Sequence, residues 1–151
     1  MKRSLVREHV FRIMFRHDFH DTDEFEEQER LYFDEYPSLD DEYPEVADCP
    51  VIEAGDRAEI ETKVSNIIQN IEEIDDSLSD NCKGWSLNRI GKAELAILRI
   101  AVYEIMFDAD TDTAVSINEA VNLSKKYCDD KSPSFVNGVL SKYVQKTEQT
   151  E

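Results

Sequence analysis

Hydrophobic residues recur along most of this chain at intervals of three and four, which predicts helices and no strand. The best-specified stretch is Ser116 to Val144. Ser116 and Glu119 fit an S-x-x-E capping box, with Val115 and Ala120 placed for a hydrophobic staple, so a helix is expected to enter near Ser116. A turn at Asp129 to Ser132 follows. Ser132 is then expected to cap a second helix with Pro133 in its first position, where the missing N–H costs nothing. In that helix Phe135, Val136, Val139, Leu140, Tyr143 and Val144 share one apolar face. Gly138 lies inside it at a cost of about 1 kcal/mol against alanine, most simply for close approach of another backbone or a ligand.

Upstream, Val6, Val10, Ile13, Met14 and His17 mark one face of a first helix, and Phe25, Tyr32 and Tyr36 line an acidic helix from about Asp23 to Tyr36. Residues 37–52, with Pro37, Pro44 and Pro50 among acids, read as an acidic loop or insertion. Ile60, Val64, Ile67, Ile68, Ile71 and Ile74 give one long helix from about Gly55 to Ile74, and Asp75 to Asp80 reads as its end or a further short turn. Leu87 to Phe107 is apolar on most sides, as a helix in the middle of a bundle must be. The pattern composes five to seven helices.

At 151 residues with 40% hydrophobic content, one domain over 1–151 is expected. No apolar run reaches membrane-spanning length and no signal-peptide core opens the chain, so the cytoplasm is the default compartment. Cys49, Cys82 and Cys128 are odd in number and widely spaced, which suits reduced thiols.

The net charge of −17 is unevenly spread. Residues 21 to 48 hold thirteen acids and one base, Arg30, whereas residues 1 to 20 set Lys2, Arg3, Arg7, Arg12 and Arg16 against Glu8 and Asp18. Along the first helix Arg3 and Arg7 continue an edge toward Phe11 and Phe15. Composition leaves open both a solvated amphipathic helix and a nucleic-acid surface, in which guanidinium groups bind phosphate and aromatic faces stack on unpaired bases. The acidic arm reads as a solvated insertion or as a shield for that helix. His9, His17 and His20 have no Cys or carboxylate partners at ligand spacing, so no metal is expected, and no cofactor. A glycine-rich phosphate loop, a G-x-S-x-G elbow and a Cys/His motif are all missing from the sequence, and no pair of carboxylates is positioned for acid–base work. A binding protein is expected rather than an enzyme.

The run Glu94 to Glu104, INEAV at Ile117 to Val121 and FVNGVL at Phe135 to Leu140, with Trp85 upstream, closely resemble the C-terminal half of the NusB transcription antitermination factors. REHVFRIMF at Arg7 to Phe15 is similar to that family's arginine-led first helix, although Ser4 and Leu5 stand where the family is often richer in arginine, and Ser141 where an acid often follows FVNGVL. The resemblance implies an all-α fold of six to seven helices in two packed bundles, acting without catalysis. It implies binding of boxA-type single-stranded RNA from ribosomal RNA operons together with NusE, a small-subunit ribosomal protein, in an RNA polymerase antitermination complex. Carried onto this chain, the RNA surface draws on Lys2, Arg3, Arg7, Phe15 and Phe135, and its exposed flanks add Arg16, Lys125, Lys126 and Lys131. The NusE-facing surface draws on Glu94, with Arg99 and Glu104 on the same helix, each of which suits an internal salt bridge equally well. Two other readings stand beside this one: the RNA-recognition domain found in some ribosomal RNA cytosine methyltransferases, and a protein-binding scaffold without RNA affinity. A homodimer, seen in parts of the family, would bury the basic helix.

Overall fold

A computed structural model describes residues 2–19, 24–34, 52–81 and 86–149. The acidic segment 37–52 lies outside the described residues except for Ile52, as do His20, Tyr36, Cys49, Cys82 and Trp85. Seven α-helices and no strand occur among the described residues. The chain divides into two compact units, Met1–Ser65 and Asn66–Glu151.

The first unit holds α1 (Arg3–His17), α2 (Phe25–Asp34) and most of α3 (Ala54–Gln69). The stripe read from sequence on α1 is buried at Val6, Val10, Ile13 and Met14, and Phe11 joins it. Helix α2 meets α1 through His9, whose Nδ1 lies 2.6 Å from the Tyr32 hydroxyl in a buried pair. Burial, and next the Arg12 guanidinium, hold the His9 imidazole below its ordinary pKa, so it serves as a neutral joint. On its other side α2 meets α3, where the Arg57 guanidinium carbon sits 4.6 Å from the centre of the Phe33 ring.

The single helix expected from Gly55 to Ile74 is two. Helix α3 stops at Gln69 and α4 (Ile71–Asn81) follows. The break falls at Asn70, whose backbone N–H is shared between the carbonyls of Asn66 and Ile67, the tightening common at a helix end, while its side-chain amide also donates to Asn66 O at 2.7 Å.

The second unit comprises α4, α5 (Lys92–Phe107), α6 (Thr113–Tyr127) and α7 (Ser132–Gln149). Helix α5 touches α4, α6 and α7 and buries Leu95 to Leu98 and Ile100 to Val102, the central position its nearly all-round apolar sequence predicts. It starts later than expected, because Leu87–Arg89 form a separate 3₁₀ turn and Gly91 is the N-cap. Polar links tie the helices at defined points. Arg99 donates two hydrogen bonds of 2.9 Å to the Asp75 carboxylate on α4, and the Ser77 and Tyr143 hydroxyls meet at 2.8 Å between α4 and α7.

Both caps read from sequence are corrected. Helix α6 begins one turn early, with Asp112 as N-cap, so the Ser116 N–H already bonds Asp112 O. With no orphan donor left to cap, the Ser116 hydroxyl is buried without a hydrogen-bond partner. At α7, Ser132 is the first helical residue and Asp129 does the capping, its Oδ1 accepting the N–H groups of Lys131 at 2.9 Å and Ser132 at 3.1 Å. Close packing does not explain Gly138 either, since a Cβ there would meet nothing within 4 Å.

Candidate functional site

The basic and aromatic groups of α1 are separated by their own helix. Lys2 and Arg3 are exposed at its start. Phe15 and Arg16 lie near its end, about 18 Å away at 1.5 Å per residue. Phe15 is half-buried and forms the middle of a ladder, its ring 6.0 Å from that of Phe11 in a stacked pair and 5.0 Å from that of Phe19 edge-on. Phe19 itself is 57% exposed. Arg16 is partly held in place, its guanidinium carbon 5.1 Å from the centre of the Tyr32 ring. Arg7 departs from the expected role, because it is buried at 5% exposure and does not offer an open guanidinium to phosphate.

In the second unit Lys125 and Lys126 are exposed in the last turn of α6, and Lys131 is exposed in the turn before α7. Phe135, half-buried, follows one turn later. Lys131 and Phe135 share a cavity of about 420 Å³ with Arg89, Glu94, Asp129 and Ser132. Its floor is a polar cluster at the start of two helices. Ser132 Oγ donates to Glu94 Oε1 at 2.7 Å across 38 residues of sequence and lies 3.1 Å from Asp129 Oδ1. The N–H of Lys131 and the hydroxyl of Ser132 hold the Asp129 carboxyl below the usual carboxylate range. Beside them burial, then the Glu94 carboxylate, push the Cys128 thiol up to about 11, so it stays a protonated, unreactive thiol at neutral pH. Gly91 makes room for this cluster, since a Cβ there would fall on the Glu94 carboxylate.

Of the acids and bases on α5 expected to face a partner, only Glu94 lines an open cavity. Arg99 is engaged with Asp75, and Glu104 is 1% exposed. Both are turned to the interior because α5 is covered on most sides. Sequence reading missed Arg89, Asp129 and Ser132 as neighbours of Glu94. Two of them had a signal, since an aspartate three residues before a serine at a helix start is a turn-forming pair. The contact with Glu94 had none.

Known proteins match this arrangement along nearly its whole length. The sequence pattern of the NusB family matches residues 4–145. The transcription antitermination protein NusB of Agathobacter rectalis is 46% identical over 144 residues, covering 95% of this chain and 100% of that protein. The protein of the same name from Lachnoclostridium phytofermentans is 41% identical, over 95% and 99%. Among solved structures, NusB from Aquifex aeolicus superposes with a TM-score of 0.76 at 26% identity, covering 100% of this chain and 93% of that one. A chain from a crystal structure of antitermination factors NusB and NusE in complex with dsRNA gives 0.69 at 26% identity, over 95% and 96%. With a family pattern spanning both units and relatives matched end to end, the chain belongs to the NusB family.

Proposed function

We propose that this chain is a non-catalytic RNA-binding transcription antitermination factor. With the ribosomal protein NusE it holds a boxA-type single strand in ribosomal RNA transcripts and promotes read-through by RNA polymerase, acting in the cytoplasm. The observation that carries this reading is the end-to-end similarity to antitermination proteins, joined by a matched structure in which NusB and NusE are in complex with dsRNA.

The exposed groups support it, each unit taken by itself. Lys2 and Arg3 offer cations and the Phe15–Phe19 pair offers aromatic surface in the first unit. Lys125, Lys126, Lys131 and Phe135 do so in the second. Glu94 is the acid left for NusE, a cationic group of which would compete with Ser132 for its carboxylate. No helix among the described residues is long and apolar enough to cross a membrane. The test is capture: tagged chain expressed in a bacterial host should retain NusE through a wash at physiological salt, and Glu94→Lys should release it while the circular dichroism spectrum stays helical. Failure of the parent chain to retain purified NusE contradicts the proposal.

A second reading, a NusE-binding scaffold without RNA affinity, is favoured by the burial of Arg7 and the net charge of −17. It predicts retention of NusE with no gain in RNA affinity.

A further inference from the structure

Ser132 has one hydroxyl proton and two carboxylates within reach of it. Its Oγ lies 2.7 Å from Glu94 Oε1 and 3.1 Å from Asp129 Oδ1. A hydroxyl donates a single hydrogen bond, so the proton serves the nearer acceptor, Glu94, and the Asp129 oxygen is left facing a lone pair. At 4% exposure Ser132 leaves little access for water to supply the missing donor.

The two acceptors belong to different surfaces of the second unit. Glu94, in the first turn of α5, is the acid assigned above to NusE. Asp129 shapes the turn before α7, which displays Lys131 and leads into Phe135, both assigned above to RNA. That turn rests on Asp129 Oδ1, which accepts the N–H groups of Lys131 and Ser132. A third donor on the same oxygen would hold the turn more tightly, because hydrogen bonds to an ionised carboxylate are the strong ones. Glu94 draws that donor away. Gly91 lets it do so, since a Cβ there would fall on the Glu94 carboxylate and push it aside.

We infer that the Ser132 hydroxyl couples the NusE surface to the RNA surface by turning its O–H from Glu94 to Asp129, an inference that rests on the reading proposed above. In the chain alone the O–H points to Glu94, and two donors hold the turn. When a cationic group of NusE takes the Glu94 carboxylate, the O–H rotates to Asp129 and three donors hold it. Lys131 and Phe135 are then fixed before the strand arrives, so RNA binding has less ordering to supply. Such coupling is reciprocal: bound RNA strengthens NusE binding by the same factor. Ser132, buried beneath both surfaces, is a positioning residue.

The experiment measures the affinity of the full chain for a boxA-type RNA oligonucleotide without and with saturating NusE, and reads the factor by which NusE tightens RNA binding. The parent is compared with Ser132→Ala, Gly91→Ala and, as a control for loss of an exposed hydroxyl on α7, Ser134→Ala. Ser132→Ala keeps the backbone N–H bonds to Asp129 but has no O–H to turn, and should cut the factor roughly threefold or more. Gly91→Ala should cut it from the other direction, raising the RNA affinity of the chain alone roughly twofold or more, because Glu94 is driven off Ser132 before NusE binds. Ser134→Ala should leave the factor at the parent's value. A role for Ser132 in stability alone would weaken RNA binding equally with and without NusE, and the unchanged factor overturns the coupling. An unchanged factor in Gly91→Ala overturns it too, and decides the matter by itself if Ser132→Ala does not fold. RNA binding by the parent that NusE does not tighten overturns the coupling and leaves the RNA surface standing, whereas no RNA binding by the parent with NusE bound overturns the reading beneath it as well.

Discussion

The two units of the chain use cations in opposite ways. In the first, three arginines are engaged by the fold: Arg12 pairs with Glu8 along α1 at 3.1 Å, Arg16 covers Tyr32 of α2, and Arg57 covers Phe33 of α2 while bonding Glu61 along α3 at 2.9 Å. In the second, Arg99 is likewise structural, but Lys125 and Lys126 at the end of α6 and Lys131 before α7 stand exposed. A planar guanidinium can stack on a ring and donate in a fork at once, so it is easily consumed inside a fold, whereas a lysine carries a point charge outward on a flexible stem. Counting basic residues along α1 therefore overstates what that helix offers to RNA, and counting them around the Asp129–Ser132 turn does not.

Mutating one arginine tests the structural side of that contrast with the largest expected effect. Arg99→Ala removes a bidentate, charge-assisted pair and strands Asp75, so denaturant unfolding should show a loss of about 2 kcal/mol. Unchanged stability would return Arg99 to the partner surface. Smaller and more discriminating is the pair on α1. Arg3→Ala should flatten the salt dependence of RNA binding by about one unit, while Arg7→Ala should lose about 1 kcal/mol of stability and leave the slope alone. The reverse outcome would mean that Arg7 swings out when RNA binds.

The smallest effect concerns pH and is confined to the first unit. Burial, then the neighbouring Glu61 carboxylate, push the Glu29 carboxyl up to about 7, with Arg57 opposing. A carboxyl whose folded pKa lies above its unfolded value near 4.5 binds protons more tightly when folded, so its stabilising contribution is complete below that value and is lost as pH rises toward 7. Thermal melts at about pH 5 and about pH 8 should therefore differ less for Glu29→Gln than for the parent. An equal difference in both proteins would show that Glu29 is solvated and ordinary.

Much of this architecture could be read from the sequence because it rests on local periodicity. The core stripes at Val6–Met14, Ile60–Ile67 and along α5 follow directly from helical spacing. Errors occurred where a side chain chose between two local hydrogen bonds. Ser116 fits a capping box, but Asp112 starts the helix one turn earlier. Ser132 fits an N-cap, but Asp129 takes that role and frees the hydroxyl for Glu94. Asn70, inside an unbroken isoleucine stripe, marks the end of α3 and bonds back to Asn66. The candidate surfaces were legible only as residue types. Which cations are consumed internally depends on contacts such as Arg99 with Asp75 and Arg16 with Tyr32, across 24 and 16 residues of sequence, and no spacing rule reaches that far.

Recognition of RNA in the presence of the ribosomal protein is measured directly by competition binding. The chain mixed with NusE should bind a boxA-type single strand more tightly than a scrambled strand of the same composition, and more tightly than the chain alone does. Equal affinity for the two strands at physiological salt, with NusE bound, would contradict it.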